Sequence, residues 1–312
     1  MVLTRLGMLH LTQGRGPEAV AAFRSAYGLA GSPDNILSEY VEALCLAGKA
    51  ADAIEMLLAE ANRGSSTPLR RQVLAELLLW QPAAVADPVA FVDQRLRGER
   101  DSRIKLKADL GLYASELGRH DVAVAFLEQA YAESGNAPRY AEPTGRALIN
   151  AGRHGEAFDL MLRAIAKGPM SPGLAQALAE AGARAQLKAD DLVARLDKAL
   201  EHRPEARAEL CLALGRAAMD RRNPALAAAA LSRACDDGAL PANLVEHYVG
   251  SLIATVQLQK ALVALERFIQ GGYHTRWAFD TLAELYQKTG REKAEAARAT
   301  SCMTELFPLE ER

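Results

Sequence analysis

The residues of this chain that could do chemistry are six histidines, four cysteines and a broad scatter of arginines and carboxylates. His120 and His154 stand in the same local context, each closing a Gly-Arg-His triplet. Imidazoles can pass protons near neutral pH or ligate a divalent metal. Two of them placed one repeat apart lie too far from each other to share an ion, so both are expected to be solvated turn residues. Cys45, Cys211, Cys235 and Cys302 occur singly, with no CxxC pair to suggest zinc or a redox centre. They read as small core-filling residues, and unpaired thiols lean toward a reducing compartment. The chain has no phosphate loop, dinucleotide fingerprint, nucleophile elbow or HExxH helix. The expectation is no catalytic residue, no metal and no cofactor.

Whatever positions these groups repeats itself. The stretch from Gly118 to Ala130 is a turn glycine, a basic residue and a helix with apolar residues at fixed offsets. A second copy begins at Gly152, and a variant runs from Gly14 through Ala19 and Phe23 to Ala26. Aligned turns fall at Gly14, Gly48, Pro82, Gly118, Gly152, Leu187, Arg222, Val256 and Gly290, with steps of 34, 34, 36, 34, 35, 35, 34 and 34. A period this even over 312 residues marks a helical solenoid, which grows by adding modules without one central core. Half of the residues are apolar but only 5% are aromatic, and the strong helix formers Ala and Leu carry most of that share. The β-branched and aromatic runs of strands are missing.

Each glycine at a turn suits the left-handed residue that ends a helix. The basic residue that follows (Arg15, Lys49, Arg119, Arg153 or Arg291) is expected to complement the negative end of the helix dipole. Second helices carry small residues seven apart with a large one between: Ala19, Phe23 and Ala26; Ala123, Leu127 and Ala130; Ala157, Met161 and Ala164; Ala227, Leu231 and Ala234. Those spacings share one face, so small residues let helices cross closely while the large one fills the space between neighbouring units.

With Leu6, Gly7, Gly14, Ala19, Phe23, Ala26 and Pro33 in the first unit, the chain resembles the tetratricopeptide repeat family. Leu110, Gly111, Gly118, Ala123, Leu127 and Ala130 repeat the pattern, as do Leu214, Gly215, Ala227, Leu231 and Ala234. The resemblance implies an all-α, right-handed α-α superhelix of about nine helix-turn-helix units, running as one continuous array over 1–312. Unit three, about 68–102, departs most, because its turn from Trp80 to Pro88 is long and lacks glycine. Pro143 is expected to delay the start of its helix by a turn. A final helix over about 292–306 has no polar cap after it, and Met1 opens directly in helical pattern. Both ends therefore read as cuts in a longer array, which leaves the compartment open.

The resemblance also implies a concave groove lined by the first helix of every unit, holding a partner protein. Its expected residues are Glu39, Glu42, Gln72, Glu76, Lys105, Asp109, Arg139, Glu142, Arg146 and Asn150, then Arg184, Arg216, Glu246, His247, Trp277, Asp280 and Glu284. Arg139, Arg146, Arg184 and Arg216 would form a central basic patch able to grip carboxylates, or would pair with neighbouring glutamates. Thr4, Met8 and Ser38 stand where the Lys/Asn/Arg clamp for chaperone tails would begin, so that specialisation is not expected. A net charge of −2, from 37 basic and 39 acidic residues, supplies no field for nucleic acid. No apolar run approaches the ~20 residues of a membrane span. The expected function is a non-catalytic protein-interaction scaffold. The alternative is a saccharide or small anionic ligand held in the groove, with Trp80, Trp277, Tyr113 and Tyr140 stacking, within a bacterial envelope assembly such as polysaccharide-export machinery.

Overall fold

Turn chemistry decides where the helices stop. At Gly118 (φ 72°) the backbone N–H donates to Ser115 O at 3.1 Å, and the next N–H, of Arg119, reaches Ala114 O at 2.9 Å. That pair of bonds satisfies two orphan carbonyls at a helix end and needs one residue in the left-handed region. The same closure recurs at Gly14, Gly48 and Gly152, and again at Arg222 and Val256. Gly290 is also left-handed, at φ 71°. Leu187 is the exception: the helix before it ends on Ala185 in extended conformation (φ −65°, ψ 137°).

The computed structural model describes residues 2–31, 34–64, 67–80, 85 and 87–290. Among them every regular element is helical. The chain divides into two compact units, Met1–Arg153 and His154–Arg312.

The first unit contains α1 (Val2–Thr12), α2 (Gly16–Leu29), α3 (Leu37–Leu46), α4 (Ala50–Asn62), α5 (Pro68–Trp80), α6 (Pro88–Arg95), α7 (Arg100–Glu116), α8 (His120–Glu133) and α9 (Pro138–Asn150). Each helix packs on its chain neighbour except around the short α6, where α5 meets α7 and α6 packs on α8. The second contains α10 (His154–Lys167), α11 (Pro172–Arg184), α12 (Ala189–Ala199), α13 (Pro204–Asp220), α14 (Pro224–Asp236), α15 (Val245–Ala254), α16 (Leu258–Gln270) and α17 (Arg276–Thr289). Here first helices stack on first helices (α11 on α13) and second on second (α10 on α12, α12 on α14). This is the contact pattern of a helical-repeat solenoid.

The expected packing residues form the core. Ala19, Phe23, Ala26, Ala123, Leu127, Ala130, Ala157, Met161, Ala164, Ala227, Leu231 and Ala234 are all buried. Large members such as Phe23 and Leu127 each contribute roughly 1.5–3 kcal/mol by leaving water. Their fit depends on glycines in the facing helix. A β-carbon on Gly7 would stand 2.9 Å from the Phe23 ring, and one on Gly215 would stand 2.5 Å from Leu231.

One expectation changes. Pro143 does not delay its helix, because α9 starts at Pro138 with Pro143 inside it. Proline at the first helical position, Pro138, is preset for helix and fixes the start instead. In unit three α6 is short, running only from Pro88 to Arg95, and Asp87 caps it by accepting from the N–H groups of Val89 and Ala90 at 3.0 Å. The expected irregular turn at 81–84, the last helix from 292 and Arg291 lie outside the described residues.

Candidate partner-binding groove

First helices carry the candidate groove residues, because the face opposite their small core residues remains polar. In the first unit α5 and α7 bring part of the expected set together. Gln72 Nε2 donates to Glu76 Oε1 at 3.2 Å and to the Tyr113 hydroxyl at 3.3 Å, and that hydroxyl donates to Glu76 at 2.9 Å. Its bond to Glu76 raises the Tyr113 pKa. Asp109 pairs with Arg71, which sequence reasoning did not single out. Arg146 pairs with Glu142 one turn back at 3.1 Å, and the Arg139 guanidinium lies over the Tyr140 ring at 4.9 Å. Glu39 and Glu42 on α3, Lys105 on α7 and Asn150 on α9 remain on their helix surfaces and do not join this mesh.

In the second unit two clefts open on the first helices. One, of about 640 Å³, lies between α11 and α13. Ala175, Ala179, Ala213 and Ala217 line it, four residues apart on each helix, beside Glu180, Glu209, Arg216, Asp220 and Arg221. Arg184 pairs with Glu180 at 2.5 Å. The other, of about 550 Å³, is lined by Trp277, Glu246 and His247 of the expected set, with Arg222 and Gly250. Glu246 also accepts from the Tyr273 hydroxyl at 3.2 Å. Asp280 faces Arg276 at 3.8 Å in an exposed one-turn pair, and Glu284 pairs with Lys288 at 3.3 Å. Of the aromatics expected to stack on a sugar, Tyr113 is tied to Glu76, Tyr140 lies against Arg139, Trp277 lines a cleft, and the Trp80 side chain lies outside the described residues.

The histidines are not simply solvated. His120 and His154 are half-buried at the starts of α8 and α10, and each has a buried Nδ1 without a hydrogen-bond partner. Burial, reinforced by Arg184 and Arg221, lowers the His154 pKa against a smaller opposing pull from Glu180. Nor do all turn cations serve their own helix. Arg119 donates to Leu79 O at 2.8 Å, so it caps α5 of the preceding repeat. Burial pushes the Cys211 pKa up to about 12 and also raises that of Cys235.

Sequence reasoning also missed a polar ladder on the second helices. Arg95 meets Glu55, Gln129 meets Asp93 at 2.6 Å, Arg195 meets Asp159 at 2.8 Å and Arg233 meets Asp197 at 2.6 Å. Partners lie 36 to 40 residues apart, about one repeat. Beneath the first part of the ladder, buried Lys107 bridges Asp93 at 2.7 Å and Glu133 at 2.6 Å. Opposite charges offset by one period were the available signal.

No family model matches the sequence, and no curated protein matches it. Among solved structures the chain is similar to MamA AMB-1, at 17% identity and a TM-score of 0.34, over 68% of this chain and 95% of that one. It is similar to the P58(IPK) TPR domain at 12% identity and a TM-score of 0.26, over 99% and 93% of the two chains. The APC/C hetero-tetramer Cut9–Hcn1 gives 14% identity and a TM-score of 0.27, over 99% and 73%. The chain's own geometry makes the assignment. Helix pairs at a steady sequence period, with left-handed turns after first helices, make the described residues an all-α helical-repeat fold.

Proposed function

We propose that this chain is a non-catalytic scaffold that holds a partner protein on the face of its first helices. One contrast carries the reading. Charges on the second helices pair from repeat to repeat, whereas Glu209, Arg216, Asp220 and Arg221 gather around one cleft on α13 with no ion pair among the described residues. Charged groups that the fold leaves unpaired beside an alanine floor suit the polar rim and apolar centre of a protein interface. We read the first-helix face as including Glu39, Glu42, Gln72, Glu76, Lys105, Asp109, Arg139, Arg146 and Asn150 in the first unit, and Arg184, Arg216, Glu246, Trp277 and Asp280 in the second. Among the described residues no helix is long and apolar enough to cross a membrane.

A crosslinking pull-down with the wild-type chain and an Arg216→Glu, Glu209→Lys double variant tests this. The reading expects one set of captured proteins to vanish from the variant while the variant's helicity and melting are unchanged. Identical capture by both proteins would refute it.

A further inference from the structure

Three locally unfavourable choices converge on the smaller cleft of the second unit, the one lined by Trp277 and Arg222. The first is Arg222, left-handed at φ 56° where five of the other turns carry glycine. Its guanidinium has no hydrogen bond or ion pair among the described residues, although Arg195, Arg207 and Arg233 of the same unit are all paired. The second is Gly250 in mid-α15, where a β-carbon would meet nothing within 4 Å, so the glycine is not required by packing. The third is Trp277 in the first turn of α17, an indole left half-exposed beside that gap. A left-handed arginine and a mid-helix glycine both cost folding stability, and such strain collects where a ligand is held.

The cleft is not isolated. Glu209, Arg216, Asp220 and Arg221 line the neighbouring cleft, while Met219 and Arg222 line this one. From 209 to 222 the chain advances about 20 Å along α13 and its C-terminal turn. A run of that length suits a segment of secondary structure rather than a compact metabolite. Its charges are ordered too: Glu246 stands one turn before Gly250 on the same face of α15, and Arg222 comes from the α13–α14 turn.

We infer that this cleft anchors a helical segment of the partner protein, which seats a bulky apolar side chain between Trp277 and Gly250 and offers a carboxylate side chain, one turn away, to Arg222. The inference rests on the groove reading above and names the chemistry of what the groove holds. Glu246 disfavours a second acid at its end, so the segment is oriented as well as anchored.

Selection of a displayed helical-peptide library on the full chain tests it, followed by affinity measurement on three variants. The expected peptides carry Leu, Met or Phe with Asp or Glu three or four positions away. Gly250→Leu fills the gap, and Arg222→Gly removes the cation. Each should weaken those peptides by at least ~10-fold, as loss of a central anchor does, while melting no lower than the parent. In a Trp80→Phe background the remaining Trp277 emission should shift on binding. Peptides that bind Gly250→Leu and Arg222→Gly as tightly as the parent, but are lost with Arg216→Glu, would overturn the anchor and leave the groove reading intact. Peptides indifferent to all three substitutions would overturn both.

Discussion

Leu127 lies over the bare backbone of Gly111, its Cγ 2.6 Å from where a β-carbon on that glycine would stand. Leu127 is fully buried, and Ala123 O on the same helix lies 3.1 Å from that same point, so an added methyl has no room there. The contact sets how closely α7 and α8 approach.

Gly111→Ala should therefore destabilise the chain by about 1–2 kcal/mol, although alanine is the better helix former by about 1 kcal/mol. Gly155→Ala is the control, because a β-carbon there meets nothing within 4 Å. It should stabilise slightly. Urea midpoints decide: equal shifts for the two variants would show that the close approach is unimportant.

Val256 occupies the left-handed turn position at φ 60° while 78% exposed. A β-branched residue there is strained, and an exposed one gives up little packing when removed. Val256→Gly should raise stability by about 0.5–1 kcal/mol after the added freedom of the unfolded chain is counted. A lower melting temperature would contradict the turn assignment.

How much of this could be read in advance depends on the range of the physics. A left-handed turn constrains one residue, so glycine recurring once per repeat announced it, and Arg222 and Val256 followed by alignment alone. Gly111 and Leu127 both stood out in the repeat pattern, but the large residue was expected between neighbouring units, and its contact with the glycine of its own helix pair was not read. Leu187 misled, since its spacing fits while Ala185 ends the helix in extended conformation. The cation of Arg119 was assigned to its own helix, but a long side chain reaches Leu79 of the preceding repeat. The ladder from Asp159 to Arg195 was illegible for the same reason, since it depends on how adjacent repeats stack. Of the groove set, Gln72 and Glu76 of α5 both bond Tyr113 of α7, while Arg146 of α9 and Arg184 of α11 take partners on their own helices.

Lys107 is 6% exposed and held between Asp93 and Glu133. Removing it takes away the cation between them, leaving Asp93 with Gln129 and Glu133 with Arg103 at 3.6 Å. Lys107→Ala should cost about 2–4 kcal/mol, toward the lower part of the range for broken buried pairs because both acids retain some solvent. Adding Asp93→Asn and Glu133→Gln to that variant should recover part of the loss. Chemical denaturation measures both. No recovery would mean that the cost was packing alone.

His154 makes stability depend on pH. Its pKa is lowered from the ordinary value of 6.5 in the folded chain, chiefly by burial and then by Arg184 and Arg221. The unfolded chain therefore binds the proton more readily. The stability contributed by neutral His154 is complete above 6.5, declines as pH falls below it, and levels off once pH is below the folded value. Urea midpoints at pH 8 and pH 5 should differ more for the wild type than for His154→Gln. Equal differences would remove this histidine as a source of the pH dependence.

The central claim is that partners are held on the first-helix face and not on the laddered second-helix face. Photo-crosslinking residues placed at Arg216 and, separately, at Arg195 test it most directly. Covalent protein adducts are expected from position 216 and none from 195. Adducts from 195 alone, or equally from both, would contradict the claim.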